Sequence, residues 1–145
     1  MKTISLVLFA LLSLTTARAQ FPNNPAADRV LGAADFTSVG THDATASGMT
    51  APAGVAVDPT SGKLFVAAQG QHRILRFPDV ASLANGADAE AVLGQANFTG
   101  TGAGTTGSTL NIPSGLHVDG SGRLWVADQG NHRVLMFENA STLAS

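Results

Sequence analysis

The stretch VAAQGQHRILRF (Val66–Phe77) returns as VADQGNHRVLMF (Val126–Phe137), displaced by 60 residues. The echo extends in both directions. PAGVAVD from Pro52 is answered by PSGLHVD from Pro113 at an offset of 61, so one residue is lost in the turn at Asp58 and Asp119. RVLGAADFT from Arg29 is answered by AVLGQANFT from Ala91 at 62, and VASLAN from Val80 by ASTLAS from Ala140. A unit of this size cannot bury its apolar face alone; repeated units stack and build a continuous core. The chain therefore divides into a first repeat over 29–88 and a second over 89–145, behind a linker over 20–28 and a leader over 1–19.

Each unit reads as four short strands. The first repeat predicts strands at Val55–Val57, Leu64–Ala67, Arg73–Phe77 and Val92–Gly94; the second predicts Leu116–Val118, Leu124–Ala127 and Arg133–Phe137, with Val30–Gly32 as the counterpart of Val92–Gly94. Turn-forming clusters separate them, DPTSG from Asp58 and DGSG from Asp119, where Asp accepts backbone N–H groups and Gly takes tight dihedrals. Short strands at this spacing, broken by Gly, Asp and Pro, predict an all-β protein. DVASLANG from Asp79 predicts one helical turn, capped by Asp79 and ended by Gly86.

The leader has Lys2, an apolar run from Ile4 to Leu14, and Ala17-Arg18-Ala19, the small-x-small pattern of a signal peptide cut after Ala19. The alternative is a membrane anchor, but spanning takes about 20 apolar residues. Cleavage leaves six basic residues against ten acidic ones and no cationic cluster, which argues against nucleic acid as a partner. No second apolar run could span a membrane. The predicted location is secreted or periplasmic, and with no cysteine in its 145 residues the chain relies on packing or assembly where exported proteins often use disulfides.

A four-stranded antiparallel sheet used as a repeat is the blade of a β-propeller. Pro-x-Gly-Val-x-Val-Asp followed by Gly-x-Leu-x-Val-Ala-Asp-x-Gly-Asn-His-Arg-Val resembles the NHL repeat, and VLGQ resembles the long-unit NHL proteins of bacteria. The second copy fits better, since the first has Ala68 for Asp128 and Gln71 for Asn131. The resemblance implies two blades of an incomplete propeller, whereas propellers have ~4–8. Three arrangements follow: a fragment of a longer propeller, a homo-oligomer that closes the ring, or a decayed product without a stable fold. Assembly gains from strand order, because the chain starts with the segment that ends a blade, and each end could complete a sheet on a neighbour.

His72-Arg73 and His132-Arg133 could be read as a base beside an anion clamp. A site is usually built once, from different residues converging in one pocket, whereas this pair recurs at the same place in each unit. The structural reading has Gly70 and Gly130 in strained turn positions, Asp128 accepting turn N–H groups, and His72, Arg73, His132 and Arg133 bonding to carbonyls or acids. No catalytic, cofactor-binding or metal-binding residue is assigned. His117 replaces Ala56 in an innermost strand, where the resemblance brings to mind the channel histidines of amidating lyases; a catalytic zinc takes three protein ligands, and one histidine is too few. Asp58 and Asp119 are turn caps, His42 is a solvated loop residue, and the glycine-rich run from Thr99 lacks phosphate-loop spacing.

Antiparallel order places the Gln-Gly turns and the loops over 37–50 and 99–110 at one end. Gln69, Gln71, Gln129 and Asn131 then offer amides on a binding face. The predicted function is a binding scaffold, with protein or another extracellular ligand as partner. The alternative is part of a metal-dependent propeller enzyme, of lyase or lactonase type, whose ligands lie in missing blades. The leader gives a direct test: N-terminal sequencing of the exported protein finds Gln20 first, and a chain beginning at Met1 contradicts cleavage.

Overall fold

The computed structural model describes residues 25–143. The leader and most of the linker lie outside that range. Seven strands form two antiparallel sheets. Sheet A contains β1 (Pro52–Val57), β2 (Lys63–Ala68), β3 (Arg73–Asp79) and β4 (Ala91–Leu93), paired in chain order. Sheet B contains β5 (Pro113–Val118), β6 (Leu124–Asp128) and β7 (Arg133–Phe137), also in chain order. The all-β prediction and the order of strands hold. β1 and β5 start earlier than the apolar pattern suggests, at Pro52 and Pro113, because an irregularity between Pro52 and Gly54, and between Pro113 and Leu116, keeps each strand paired past the break.

Two expectations need correction. Val30–Gly32 forms no strand among the described residues, since it has no neighbouring sheet edge to pair with. Val80–Ser82 is a hydrogen-bonded turn and not a helix. Asp79 does cap it, its Oδ1 accepting the Ala81 N–H at 2.9 Å, and Gly86 does close the segment with φ +66°.

Alternation along each strand sends one set of side chains to each face. Phe65 and Ile74 of sheet A, with Leu93 of β4, pack on Val118, Leu124 and Val126 of sheet B. The far face of sheet A carries Val66, Leu75 and Phe77, on which Met49, Leu83 and Leu31 pack. Leu110, in the chain between the sheets, is fully buried in the interface.

Polar contacts tie the sheets as well. Arg76 donates to Ala140 O at 2.6 Å and to Glu90, which also pairs with Lys63. The Ser141 hydroxyl donates to Asp58, whose carboxylate also accepts Thr60 N–H and Ser61 Oγ. Burial alone would raise the Asp58 carboxyl, but these hydrogen bonds outweigh it and hold the pKa below its ordinary value. Asp119 caps its own turn through Ser121 N–H, and also accepts Arg123 and the Trp125 indole. Both turn-cap assignments therefore stand.

β1 and β5 lie so close that a Cβ on Gly54 would sit 2.0 Å from the carbonyl oxygen of Ser114. Gly54→Ala is expected to cost about 1–3 kcal/mol, the usual penalty for overpacking. Gly102→Ala, where a Cβ meets nothing within 4 Å, should stay within about 0.5 kcal/mol. Equal urea midpoints for the two variants would contradict the close approach.

Candidate binding face and the clamps behind it

At one end of the two sheets, each hairpin between the second and third strand is a single 3-10 turn, Gln69–Gln71 in sheet A and Gln129–Asn131 in sheet B. The chain leaves it through a left-handed residue, His72 at φ 52° and His132 at φ 54°. The strained position thus belongs to the histidines and not, as the turn pattern suggests, to Gly70 and Gly130. The glycines answer a different need. Gly70 N–H donates to Thr50 O at 3.1 Å and Gly130 N–H to Asn111 O at 2.8 Å. A Cβ would come 2.8 Å from Thr50 Cγ2 at Gly70 and 2.6 Å from Asn111 Cγ at Gly130. Each glycine lets the preceding loop lie directly on its turn.

Arg73 and Arg133 hold those loops. The Arg73 guanidinium is wholly buried. It donates to Thr45 O at 2.9 Å, Gly48 O at 2.8 Å, Phe98 O, and Gln71 Oε1 at 3.2 Å. Arg133 donates to Thr105 O, Thr106 O and Thr109 O, and to Asp128 Oδ2 at 2.8 Å. The arginines bond to carbonyls and, at Arg133, also to an acid, and these bonds hold the long loops at the end where the turns lie. None of the carbonyl partners has a sequence signal, because any residue type supplies a carbonyl.

The two clamps solve the same problem with different atoms. In sheet B, the fully buried Asp128 accepts Arg133, Asn131 Nδ2 at 2.8 Å and the backbone N–H of Asn111 at 2.7 Å. It makes no cap bond to its own turn, a second correction. Burial would raise its carboxyl, but these donors and the Arg133 charge hold it below the ordinary value. Ala68 stands at this place in sheet A, and there the longer Gln71 reaches Arg73 instead. Ala68 with Gln71 is thus a matched replacement for Asp128 with Asn131.

This arrangement alters the expected binding face. Gln71 is buried, donating to His42 O at 3.0 Å as well as accepting Arg73. Asn131 is half-buried, donating to Gly104 O at 2.8 Å and to Asp128. Both amides are used inside the fold. Gln129 is exposed and Gln69 partly so, which leaves these two facing outward with the surfaces of the pinned loops. The His72 side chain bonds to neither a carbonyl nor an acid; its Nδ1 accepts the N–H of Ile112, the residue before β5, at 3.0 Å. His117 is exposed on the outer face of sheet B, in register with Trp125. No cluster of three or more His, Cys, Asp or Glu able to hold a metal occurs among the described residues.

The span from Leu110 through β7, with its turn, left-handed histidine and arginine clamp, matches the family model of the NHL repeat over residues 110–137. Residues 110–137 are an NHL repeat. No match was found among curated proteins. In this NHL repeat, Asn-His-Arg is a structural signature. Asn orients the buried acid, His makes the left-handed exit, and Arg ties down the loop.

Asp128→Ala should destabilise the protein by about 1–3 kcal/mol, because it removes the buried acceptor shared by the Asn111 N–H, Asn131 and the partly exposed Arg133. Adding Asn131→Gln copies the arrangement of sheet A and should recover part of that loss. Chemical denaturation measures both, and a double variant no more stable than the single one contradicts the equivalence.

Proposed function

We propose that this chain is an exported segment of an NHL-type β-propeller that serves as a binding scaffold, with protein as its partner. One observation carries the reading: at the turn end, both long loops are fixed to the sheets by guanidinium–carbonyl clamps. A surface whose loops are already ordered spends little conformational entropy on binding. That end presents Gln129, His42 and Asp43 as exposed groups, with Gln69 partly exposed. Amide and short polar side chains of this kind suit hydrogen bonding to a protein surface. Export is supported by the leader over 1–19.

A photo-crosslinking amino acid placed at Gln129 tests the face. It should yield a discrete crosslinked partner from the extracellular fluid of the source cells, and the same probe at Ser121, at the opposite end, should not. Gln69→Lys with Gln129→Lys should weaken capture about tenfold if these are central contacts. Equal crosslinking from the two ends would sink the reading.

A further inference from the structure

Sheet B carries an apolar face and a strand edge with no cover among the described residues. Val134 is 65% exposed and Met136 40%. They share that face with Trp125 and His117, as the registers His117–Trp125 and Trp125–Met136 show. β7 pairs with β6 alone. Sheet A has its own exposed apolar surface on the opposite side, where Val55 is 66% and Val57 44% exposed.

The interface inside the chain indicates what fits there. Through the repeat, the sheet A residues that pack on sheet B, namely Ala56, Phe65 and Ile74, correspond to His117, Trp125 and Val134 on the open face of sheet B. The sheet B residues that receive them, including Leu116, Val118 and Val126, correspond to the exposed Val55 and Val57 of sheet A and to Val66, which lies buried on the same side in the cluster with Met49. One chain thus carries both halves of a contact it already makes once.

Three local features repeat with it. Gly54 admits the Ser114 carbonyl at its bare Cα; its counterpart Gly115 is exposed, and a Cβ there would meet only Ala127 at 3.6 Å. His72 Nδ1 accepts Ile112 N–H, and the corresponding pair is His132 with Ala51, which shares the left-handed backbone of Ile112, φ 50° against 52°. The third is the strand that β7 lacks. Gly94, which ends β4 at φ +87°, packs on Leu110, and Gly32 at φ +83° packs on the corresponding Met49. Leu31 lies on the outer face of sheet A much as Leu93 lies on sheet B. Val30 spends its N–H on Asn85 and its C=O on Gly86 N–H. The peptide groups of Arg29 and Leu31 on either side bond to no described residue. The segment sits where a fourth strand belongs, beside the wrong end of its own chain.

We infer that the open face and edge of sheet B bind the open face of sheet A in a second copy of this chain, whose residues 29–32 supply the missing fourth strand. The register follows from β3 and β4, where Ile74 faces Leu93: Val134 of one copy faces Leu31 of the next. The contact is head-to-tail, and such contacts close into rings when the rotation allows. The inference rests on the repeat and not on the binding face proposed above, so either can fail alone.

Two variants separate the outcomes. Gly115→Leu blocks sheet B, and Val55→Glu blocks sheet A, each at an exposed site where the fold of the single chain is spared; far-UV circular dichroism checks that. By sedimentation across the micromolar range, the unaltered protein should be oligomeric and each variant monomeric. The two mixed should form a 1:1 dimer that grows no further. In addition, Leu31→Cys and Val134→Cys chains, mixed under mild oxidation, should crosslink to each other and not to themselves. A monomeric unaltered protein overturns the inference, as does an oligomer that either blocked variant still forms by itself.

Discussion

Everything in this structure depends on sheet A and sheet B burying one face against each other. Neither sheet has strands longer than seven residues, and no α-helix among the described residues covers either one. The contact works because β1 and β5 approach to backbone distance at Gly54 and Ser114, which brings Phe65 and Ile74 into one core with Leu124 and Val126. Once that contact is made, the linking loop must pass between the sheets, Leu110 is buried, and the loop ends where Arg133 can hold it. The turns, clamps and hydrogen bonds between the sheets are arranged around this pairing.

Much of the fold was legible because repetition states it twice. Strand order, turn positions and the shared end of turns and loops all followed from period-two patterns broken by Gly, Asp and Pro. What was not legible has a common physical origin. Gly70 and Gly130 look like strained-turn glycines, yet their requirement comes from Thr50 and Asn111, some twenty residues earlier in the chain and adjacent only after folding. Gln71 looks like a loop amide, and its burial depends on His42 O and Arg73 converging on it. Val30–Gly32 has the letters of a strand, but a strand also needs a neighbour, which sequence alone cannot supply.

The histidines show why a repeated reactive pair should be read with care. His72 sits in a left-handed conformation that costs a non-glycine residue of order 1–3 kcal/mol, and its Nδ1 serves the backbone N–H of the residue before β5. The differences between the repeats are as informative as their likeness. Arg76 stands where the second repeat has Met136, and Ser141 where the first has Ala81. Each makes a polar link between the two repeats that has no equivalent among the described residues.

The two arginine clamps also differ in what can release them. Arg133 leans on Asp128, a titrating group. Its carboxyl lies below the ordinary value in the folded protein, so the stabilisation it gives is complete above the ordinary carboxylate range and fades as pH falls through the lowered value. Arg73 leans only on carbonyl and amide oxygens, which do not titrate, and its own charge persists throughout. Acid therefore has a point of attack on the loop of the second repeat and none on the clamp of the first. Of two loops held by the same arginine in nearly the same sequence, only one is released by acid, and amide exchange near Thr105–Thr109 will rise at a pH where exchange near Thr45–Gly48 does not.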